Sequence, residues 1–324
     1  MTRVLVTGAT GFLGEHLVEA LIADGATVRA FARASSRTDT IEALGAEVAR
    51  GAFDDASSLE RALDGIDAVV HAAGGGIVRR TEEMYRNNAG STRALLDAAR
   101  AADVRRFVLV SSLAARDPVS HYGKSKLAAE ELALAHTDGP SVIALRPPAL
   151  YGPGEHRMVP LFRAAQRGVV PTVHPKGTLS MLHGADCAQA IVRALASDAR
   201  GVFFVAEERI YGRREMAEIV GRAVGRRVVV PAIPPPALRL AALGAEALGR
   251  LRDRPVMFGL DKCRDVVRPH QSGDPRESFD ALGWRPTHDF EHGAVDAYED
   301  YLARGWLTYR PGRPPRRRSP IAAR

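Results

Sequence analysis

Tyr122 and Lys126 stand four residues apart in a stretch, His121 to Ala135, that is rich in Ala, Leu, Glu and Lys. Such a composition favours helix, and four residues make about one turn, so the two side chains share a face. A protonated Lys beside a phenol favours the phenolate and draws the Tyr pKa down from its ordinary value of about 10, toward proton transfer at neutral pH. Taken alone, a Tyr-x-x-x-Lys pair is more often plain exposed helix surface. Position argues otherwise here, because the pair follows a strand, Arg106 to Val110, that ends in Ser111-Ser112. A hydroxyl at the carboxyl end of a strand lies where parallel sheets bind ligands.

Elements must hold these groups in place, and the first is legible at the amino terminus. Val4-Leu-Val-Thr-Gly-Ala-Thr-Gly-Phe-Leu-Gly14 reads as a strand, a turn spaced by Gly8, Gly11 and Gly14, and the start of an apolar-periodic helix, Phe12 to Ala23. Glycines at such a junction let backbone approach a pyrophosphate, and the helix amino terminus offers unpaired N–H groups and a favourable dipole. A dinucleotide site is expected there. Strands near 3–7, 27–32, 46–50, 67–71, 106–111 and 141–146 alternate with helical patterns, which predicts an α/β fold with a doubly wound parallel sheet. Beyond Arg146 the pattern becomes mixed. Short strands are expected at Val202 to Ala206 and Arg227 to Val230, with a helix from Arg213 to Val224.

With these motifs the chain resembles the extended short-chain dehydrogenase/reductases, also called the NAD-dependent epimerase/dehydratase family. The likeness runs from residue 3 to about 308. It includes Asp67-Ala-Val-Val-His-Ala-Ala-Gly74, Asn87-Asn-Ala-Gly-Ser91, Leu145-Arg-Pro-Pro-Ala-Leu-Tyr-Gly-Pro-Gly154 and Leu282-Gly-Trp-Arg-Pro286. The resemblance implies a Rossmann-type dinucleotide-binding domain at 1–150 and a smaller mixed C-terminal substrate lobe at 151–309, interleaved with it. It also implies Tyr122 as general acid/base, Lys126 as the cation that binds the nicotinamide ribose and lowers the Tyr pKa, and Ser112 as the group polarising the substrate oxygen. Ser112 is preferred to Ser111 because the family's hydroxyl is usually the second of the pair. Asn87 resembles the family's helix asparagine, with a simple helix cap as the plainer account of Asn87 or Asn88. Asp186, in His183 to Cys187, is expected to be structural. Cofactor contacts fall by the same likeness on Gly8, Thr10, Gly11, Phe12, Leu13, Ala72, Ala73 and Pro147.

Cofactor choice turns on the residue that ends the second strand. An acid there accepts from the ribose 2′-OH of NAD, whereas an Arg suits the 2′-phosphate of NADP. Thr27-Val-Arg-Ala-Phe-Ala32 is followed by Arg33-Ala-Ser-Ser-Arg37, and no acid appears until Asp39. Arg33 is therefore the expected phosphate partner, and NADP(H) is favoured over NAD(H); a solvated basic loop is the plain alternative. One charge-assisted hydrogen bond contributes about 1.5 to 3 kcal/mol, a preference on the order of ten- to hundredfold. The family's Gly-Asp-Leu after the third strand is Gly51-Ala52-Phe53 here, which leaves Asp54 or Asp55 as substitutes for adenine recognition.

The chain has 324 residues, 46% of them apolar, enough for one large α/β domain and a smaller lobe. Its net charge of +7 is concentrated at the end: residues 310–324 contain six Arg and no acid. The rest is nearly neutral, which gives no support to a nucleic-acid patch, and the Pro/Arg tail is expected to be disordered. Cys187 and Cys263 have no metal-ligand spacing, so a reduced cytoplasm is the expected setting. No apolar run reaches the roughly 20 residues needed to span a bilayer, and strand one leaves no room for a signal peptide. The apolar stretch Ala237 to Leu251 resembles a segment that, in steroid-type and dihydroflavonol-type relatives, covers the substrate site or leans on a membrane; amphipathic packing as a cover is the expectation.

The resulting expectation is an NADP(H)-dependent reductase, or the reverse dehydrogenase, acting on a carbonyl/secondary alcohol pair in a small molecule. An NAD-dependent nucleotide-sugar epimerase is the alternative; it needs a basic diphosphate site, for which Arg157, Arg163 and Arg167 are candidates. A dehydratase is disfavoured because Leu113-Ala114 stand where such relatives carry an Asp-Glu pair. A non-catalytic NADP-binding regulatory protein is a third reading, opposed by the joint presence of Ser112, Tyr122 and Lys126. Substrate identity and dimerisation stay open at this level.

Overall fold

Alternation of apolar residues decides how the sheet is covered. Val4 and Val6 pack into one buried cluster and Leu5 into another; Val108 and Val110 join the first, Phe107 and Leu109 the second. Successive side chains of a strand point to opposite faces, so a sheet whose every position is apolar must be covered on both sides. The computed structural model describes residues 2–309 apart from 76, 253–255 and 257. The tail expected at 310–324 lies outside the described residues.

The strands of the main sheet are β1 (Arg3–Thr7), β2 (Thr27–Ala32), β3 (Glu47–Arg50), β4 (Ala68–His71), β5 (Arg106–Val110) and β6 (Ser141–Arg146). Between them run α1 (Phe12–Ala23), α2 (Asp39–Ala43), α3 (Ala56–Leu63), α4 (Thr81–Tyr85), α5 (Ser91–Ala101) and α6 (His121–Leu134). The remaining strands are β7 (Ala149–Tyr151), β8 (Thr178–His183), β9 (Gly201–Phe204), β10 (Ile210–Gly212) and β11 (His270–Gln271). The remaining helices are α7 (Val159–Gln166), α8 (Gly184–Ala196), α9 (Arg213–Ala223), α10 (Pro235–Leu251), α11 (Leu260–Val266), α12 (Arg276–Leu282) and α13 (Phe290–Ala303).

Seven parallel strands lie in the order β3-β2-β1-β4-β5-β6-β9. The order reverses between β1 and β4, and ligands of open α/β sheets bind at such a switch point, outside the carboxyl ends of the strands. Six strands were expected from the first 150 residues. The seventh, β9, comes from the second half of the chain and seals the β6 edge. Helix α8 likewise packs in the first cluster beside α1, so the two lobes are interleaved.

The second lobe has its own core of Tyr151, Phe162, Tyr211, Phe290, Tyr298 and Tyr301. In its small sheet, β8 pairs in parallel with β7 and β11 and antiparallel with β10. The strand expected at Arg227 to Val230 is absent; only isolated bridges tie Val229 to Val169 and Ala232 to Thr172. A β-branched run there reads as a strand, but its partner is a loop rather than a strand.

Candidate active site

Gly8 carries φ +75°, and a Cβ added there would lie 2.7 Å from the carbonyl carbon of Ala72. At Gly14 a Cβ would stand 2.1 Å from the carbonyl oxygen of Gly8, so β1 and α1 close against each other only through glycine. Gly11 is exposed and caps α1 with no side-chain hydrogen bond to the first-turn N–H groups. An uncapped helix start bordered by bare backbone is what a pyrophosphate needs, so these residues fit a dinucleotide. Ala72 and Ala73, beyond β4, are held by the Thr7 carbonyl and hydroxyl oxygens, which accept their N–H groups.

At the end of β2, Arg33 is exposed, and its loop is folded by a residue that the sequence did not single out. Arg50 donates to the carbonyls of Arg33 (3.0 Å) and Ser36 (2.8 Å) and to the Thr38 hydroxyl (2.6 Å). A second guanidinium therefore stands beside Arg33. Asp55 caps α3, accepting from the Ser58 N–H, and is committed to that role. Asp54 is exposed in the same loop.

The sequence-predicted catalytic trio does converge. Ser112 follows β5 in an extended conformation, with its hydroxyl accepting from the Ala114 N–H and near enough to the Tyr122 phenol to act on its pKa. Ser111 points elsewhere, donating to buried Glu130, which also pairs with Arg146. Lys126 is buried one turn beyond Tyr122 and donates from Nζ to the Val110 carbonyl at 2.9 Å. Pro147, after β6, is buried, and its carbonyl accepts from the Leu113 N–H.

Two expectations need correction. Tyr122 was expected to have a depressed pKa because of Lys126. Burial instead pushes the phenol up, and what draws it back is the Ser112 hydroxyl and the Arg157 guanidinium. Burial also lowers Lys126, to about 8, with Glu130 opposing. The buried asparagine is Asn88 rather than Asn87. Asn87 is exposed, whereas Asn88 is buried and donates to the Ser125 hydroxyl (2.9 Å) and the Gly75 carbonyl (3.2 Å). A five-residue π-helical turn, Arg86–Gly90, between α4 and α5 shifts the side chains out of ordinary helical register there.

The amino terminus of α6 is held from the second lobe. Asp261, on α11, accepts from the N–H groups of His121 (2.7 Å) and Tyr122 (3.1 Å). Ser120 accepts from Gly123 through its hydroxyl oxygen and from Lys124 through its carbonyl. Three of the N–H groups that a helix start leaves open, those of His121, Tyr122 and Gly123, are thus satisfied. Asp265, one turn beyond Asp261, lies beside the Ser120 hydroxyl, which partly offsets the rise that burial gives its pKa. No sequence signal pointed to these two acids, some 140 residues from the helix they hold.

Arg157 reaches this site from the loop after β7, where Glu155, itself buried, takes its guanidinium through both carboxylate oxygens, at 2.9 and 2.6 Å. Tyr301 donates to the Glu155 carbonyl and Asp300 accepts from the Gly154 N–H, so α13 fixes the loop. Arg163 donates to the Trp306 carbonyl. Asp186 is structural as expected, accepting from Thr287 and His288. Both cysteines are buried and free, and no metal-binding cluster occurs among the described residues.

Residues 4–206 match the model of the NAD dependent epimerase/dehydratase family. The chain is 34% identical over 308 residues to ceramide reductase of Caulobacter vibrioides, covering 94% of this chain and 96% of that protein. It is 30% identical over 282 residues to a 3 beta-hydroxysteroid dehydrogenase/Delta 5-->4-isomerase of Mycobacterium tuberculosis, 76% of each chain being covered. Among solved structures, MoeE5 in complex with UDP-glucose and NAD superposes with a TM-score of 0.73 at 26% identity, over 94% of this chain and all of that one.

Proposed function

Given that the chain belongs to the NAD-dependent epimerase/dehydratase family and is an NAD(P)-dependent enzyme of the oxidoreductase/epimerase kind, we propose that it is an NADP(H)-dependent reductase of a ketone on a long-chain, ceramide-type lipid. The observation that carries the chemistry is the approach of the Ser112 hydroxyl to the Tyr122 phenol at the carboxyl end of β5, with Lys126 one turn on. Similarity to a ceramide reductase over nearly the whole of both chains supports the substrate class.

NADPH, when bound, supplies a hydride to the carbonyl carbon; the side chains manage the oxygen. Ser112 orients it by hydrogen bonding, and Tyr122 donates its phenolic proton to it. A phenol with a raised pKa keeps that proton at neutral pH and so suits the reducing direction. Lys126 and Arg157 then stabilise the phenolate electrostatically. Asn88 positions the loop at Gly75 against α6 through Ser125. Arg33, whose loop is braced by Arg50, would hold the 2′-phosphate of a bound NADPH. An epimerase is less well supported, because two of the three candidate diphosphate cations are already engaged, Arg157 by the Glu155 carboxylate beside Tyr122 and Arg163 by the Trp306 carbonyl, with Arg167 the third.

Parallel titration with NADPH and NADH tests the cofactor, with NADPH expected to bind about tenfold or more tightly. Reduction of a ceramide-type ketone by NADPH, absent in Tyr122→Phe although NADPH still binds, tests the reaction. Preference for NADH, or NAD already locked in the purified protein, would overturn the cofactor reading and favour an epimerase.

A further inference from the structure

Tyr122, Lys126 and Glu130 stand at successive turns of α6, four residues apart, so their side chains share one side of the helix. The first two belong to the proposed mechanism. Glu130 has no part in it, yet it is only 1% exposed. A carboxylate buried that deeply stays ionised only where donors surround it. Its donors come from the carboxyl ends of two strands. Arg146, the last residue of β6, gives Nε to one oxygen at 2.9 Å and Nη2 to the other, and the Ser111 hydroxyl, just beyond β5, gives a third bond. Lys126 is tied to the same strand end one residue earlier, its Nζ donating to the Val110 carbonyl. One buried acid thus joins α6, β5 and β6 around the lysine.

We infer that Glu130 is a positioning residue of the reaction: it keeps Lys126 charged at neutral pH and fixes α6 against β5 and β6, so that the ammonium stays one turn from Tyr122. The inference rests on the reading of Ser112, Tyr122 and Lys126 as the catalytic groups. The neighbours of Lys126 leave this task to Glu130. His71 faces the lysine from β4 and is neutral, held between the Thr7 and Ser91 hydroxyls. Arg157, from the loop after β7, and Asp265, from α11, face Tyr122. Arg146, from β6, is paired with Glu130 itself. Burial draws the Lys126 ammonium toward deprotonation, and Glu130 is the charge that opposes it. With its hydroxyl committed to Glu130, Ser111 also leaves Ser112 as the one of the two serines free to meet a substrate oxygen.

The chain has four lysines, so isotopically labelled lysine gives a simple NMR spectrum, in which the resonance lost in Lys126→Met belongs to Lys126. In the full wild-type chain it should titrate near 8. Glu130→Gln keeps the shape and one acceptor oxygen but no charge, and there Lys126 should titrate about one pH unit or more lower. Glu130→Asp should restore it. With a ceramide-type ketone and NADPH, kcat of Glu130→Gln should fall away at correspondingly lower pH and approach the wild-type value on the acid side. A purely structural defect would lower kcat by the same factor at every pH. The titration needs neither substrate nor cofactor, so it decides this inference even where the ketone is not reduced. An unshifted Lys126 in Glu130→Gln, or a loss of kcat equal at every pH, would overturn it. Should that variant not fold, Glu130→Gln with Arg146→Met removes the buried pair together. Lys126 should again titrate below the wild type, because Glu130 is the charge acting on it; no shift there would equally overturn the inference.

Discussion

The hydroxyl of Ser112 and the phenol of Tyr122 meet across the end of β5, while the carboxylate that fixes Tyr122's own backbone comes from α11. Asp261→Ala should therefore lower kcat while leaving NADPH affinity nearly unchanged, since it frees a helix end worth about 1 kcal/mol. Asp261→Asn, which keeps one acceptor oxygen, should recover part of the rate. Steady-state kinetics on the two variants would separate positioning from general destabilisation, because a merely structural role would leave kcat per folded molecule unchanged. Arg33→Ala should weaken NADPH about ten- to hundredfold with little effect on NADH, measured by titration. That Ser112, Tyr122 and Lys126 converge, and that Arg33 follows β2, could be foreseen from sequence because each sits at a fixed distance from a strand or turn that is itself legible. The choice between Asn87 and Asn88 could not be made that way. It depends on a π-helical turn, and reading the segment at 3.6 residues per turn puts the wrong amide inside.

Among the elements, the contact of α1 with β1 is the least forgiving. Gly14→Ala places a Cβ against the Gly8 carbonyl, a backbone atom that cannot swing aside. Forced overpacking of this kind costs about 1 to 3 kcal/mol, and here it also spreads the glycine turn. Urea unfolding should show a lower midpoint, and NADPH binding should be lost even where the protein stays folded. Most strand positions were legible to within a residue because β-branched runs between turn residues are short and repeated. The fate of β9 was not, since pairing across more than fifty residues leaves no local mark. Nor was the outward side of α10, where Leu240 and Leu251 are exposed and Ala242 and Gly249 buried, so that the expected packed cover is not met: a periodic pattern defines two sides of a helix without saying which one meets the core.

For the whole molecule, interleaving makes the first 150 residues a poor unit. Without β9 and α8 they would expose the β6 edge and half of the first apolar cluster. A fragment of residues 1–150 should be insoluble or molten, whereas the full chain should unfold in urea as a single transition by circular dichroism. Acid should also weaken the fold. His71, buried between the Thr7 and Ser91 hydroxyls, is held neutral by burial, its pKa lowered from 6.5 to about 3. The unfolded chain takes up that proton first, so stability present above pH 6.5 is lost as pH falls toward 3. His183, lowered to about 4 by burial and by His288, acts in the same direction. His288, raised by Asp186, opposes them, contributing stability that is present at low pH and lost as pH rises through its folded value. The melting temperature should fall between pH 6.5 and 4, and His71→Asn should flatten that slope.

The cap that Asp261 places on α6 also makes two backbone protons into reporters. Amide hydrogens in a first helical turn ordinarily exchange with solvent quickly, yet those of His121 and Tyr122 are bonded to a carboxylate on another element. Deuterium should enter these two positions only when α11 lifts away, while the amides of Gly123 and Lys124, capped by Ser120 itself, stay protected. Exchange at two neighbouring amides thus times the opening of α11 against α6.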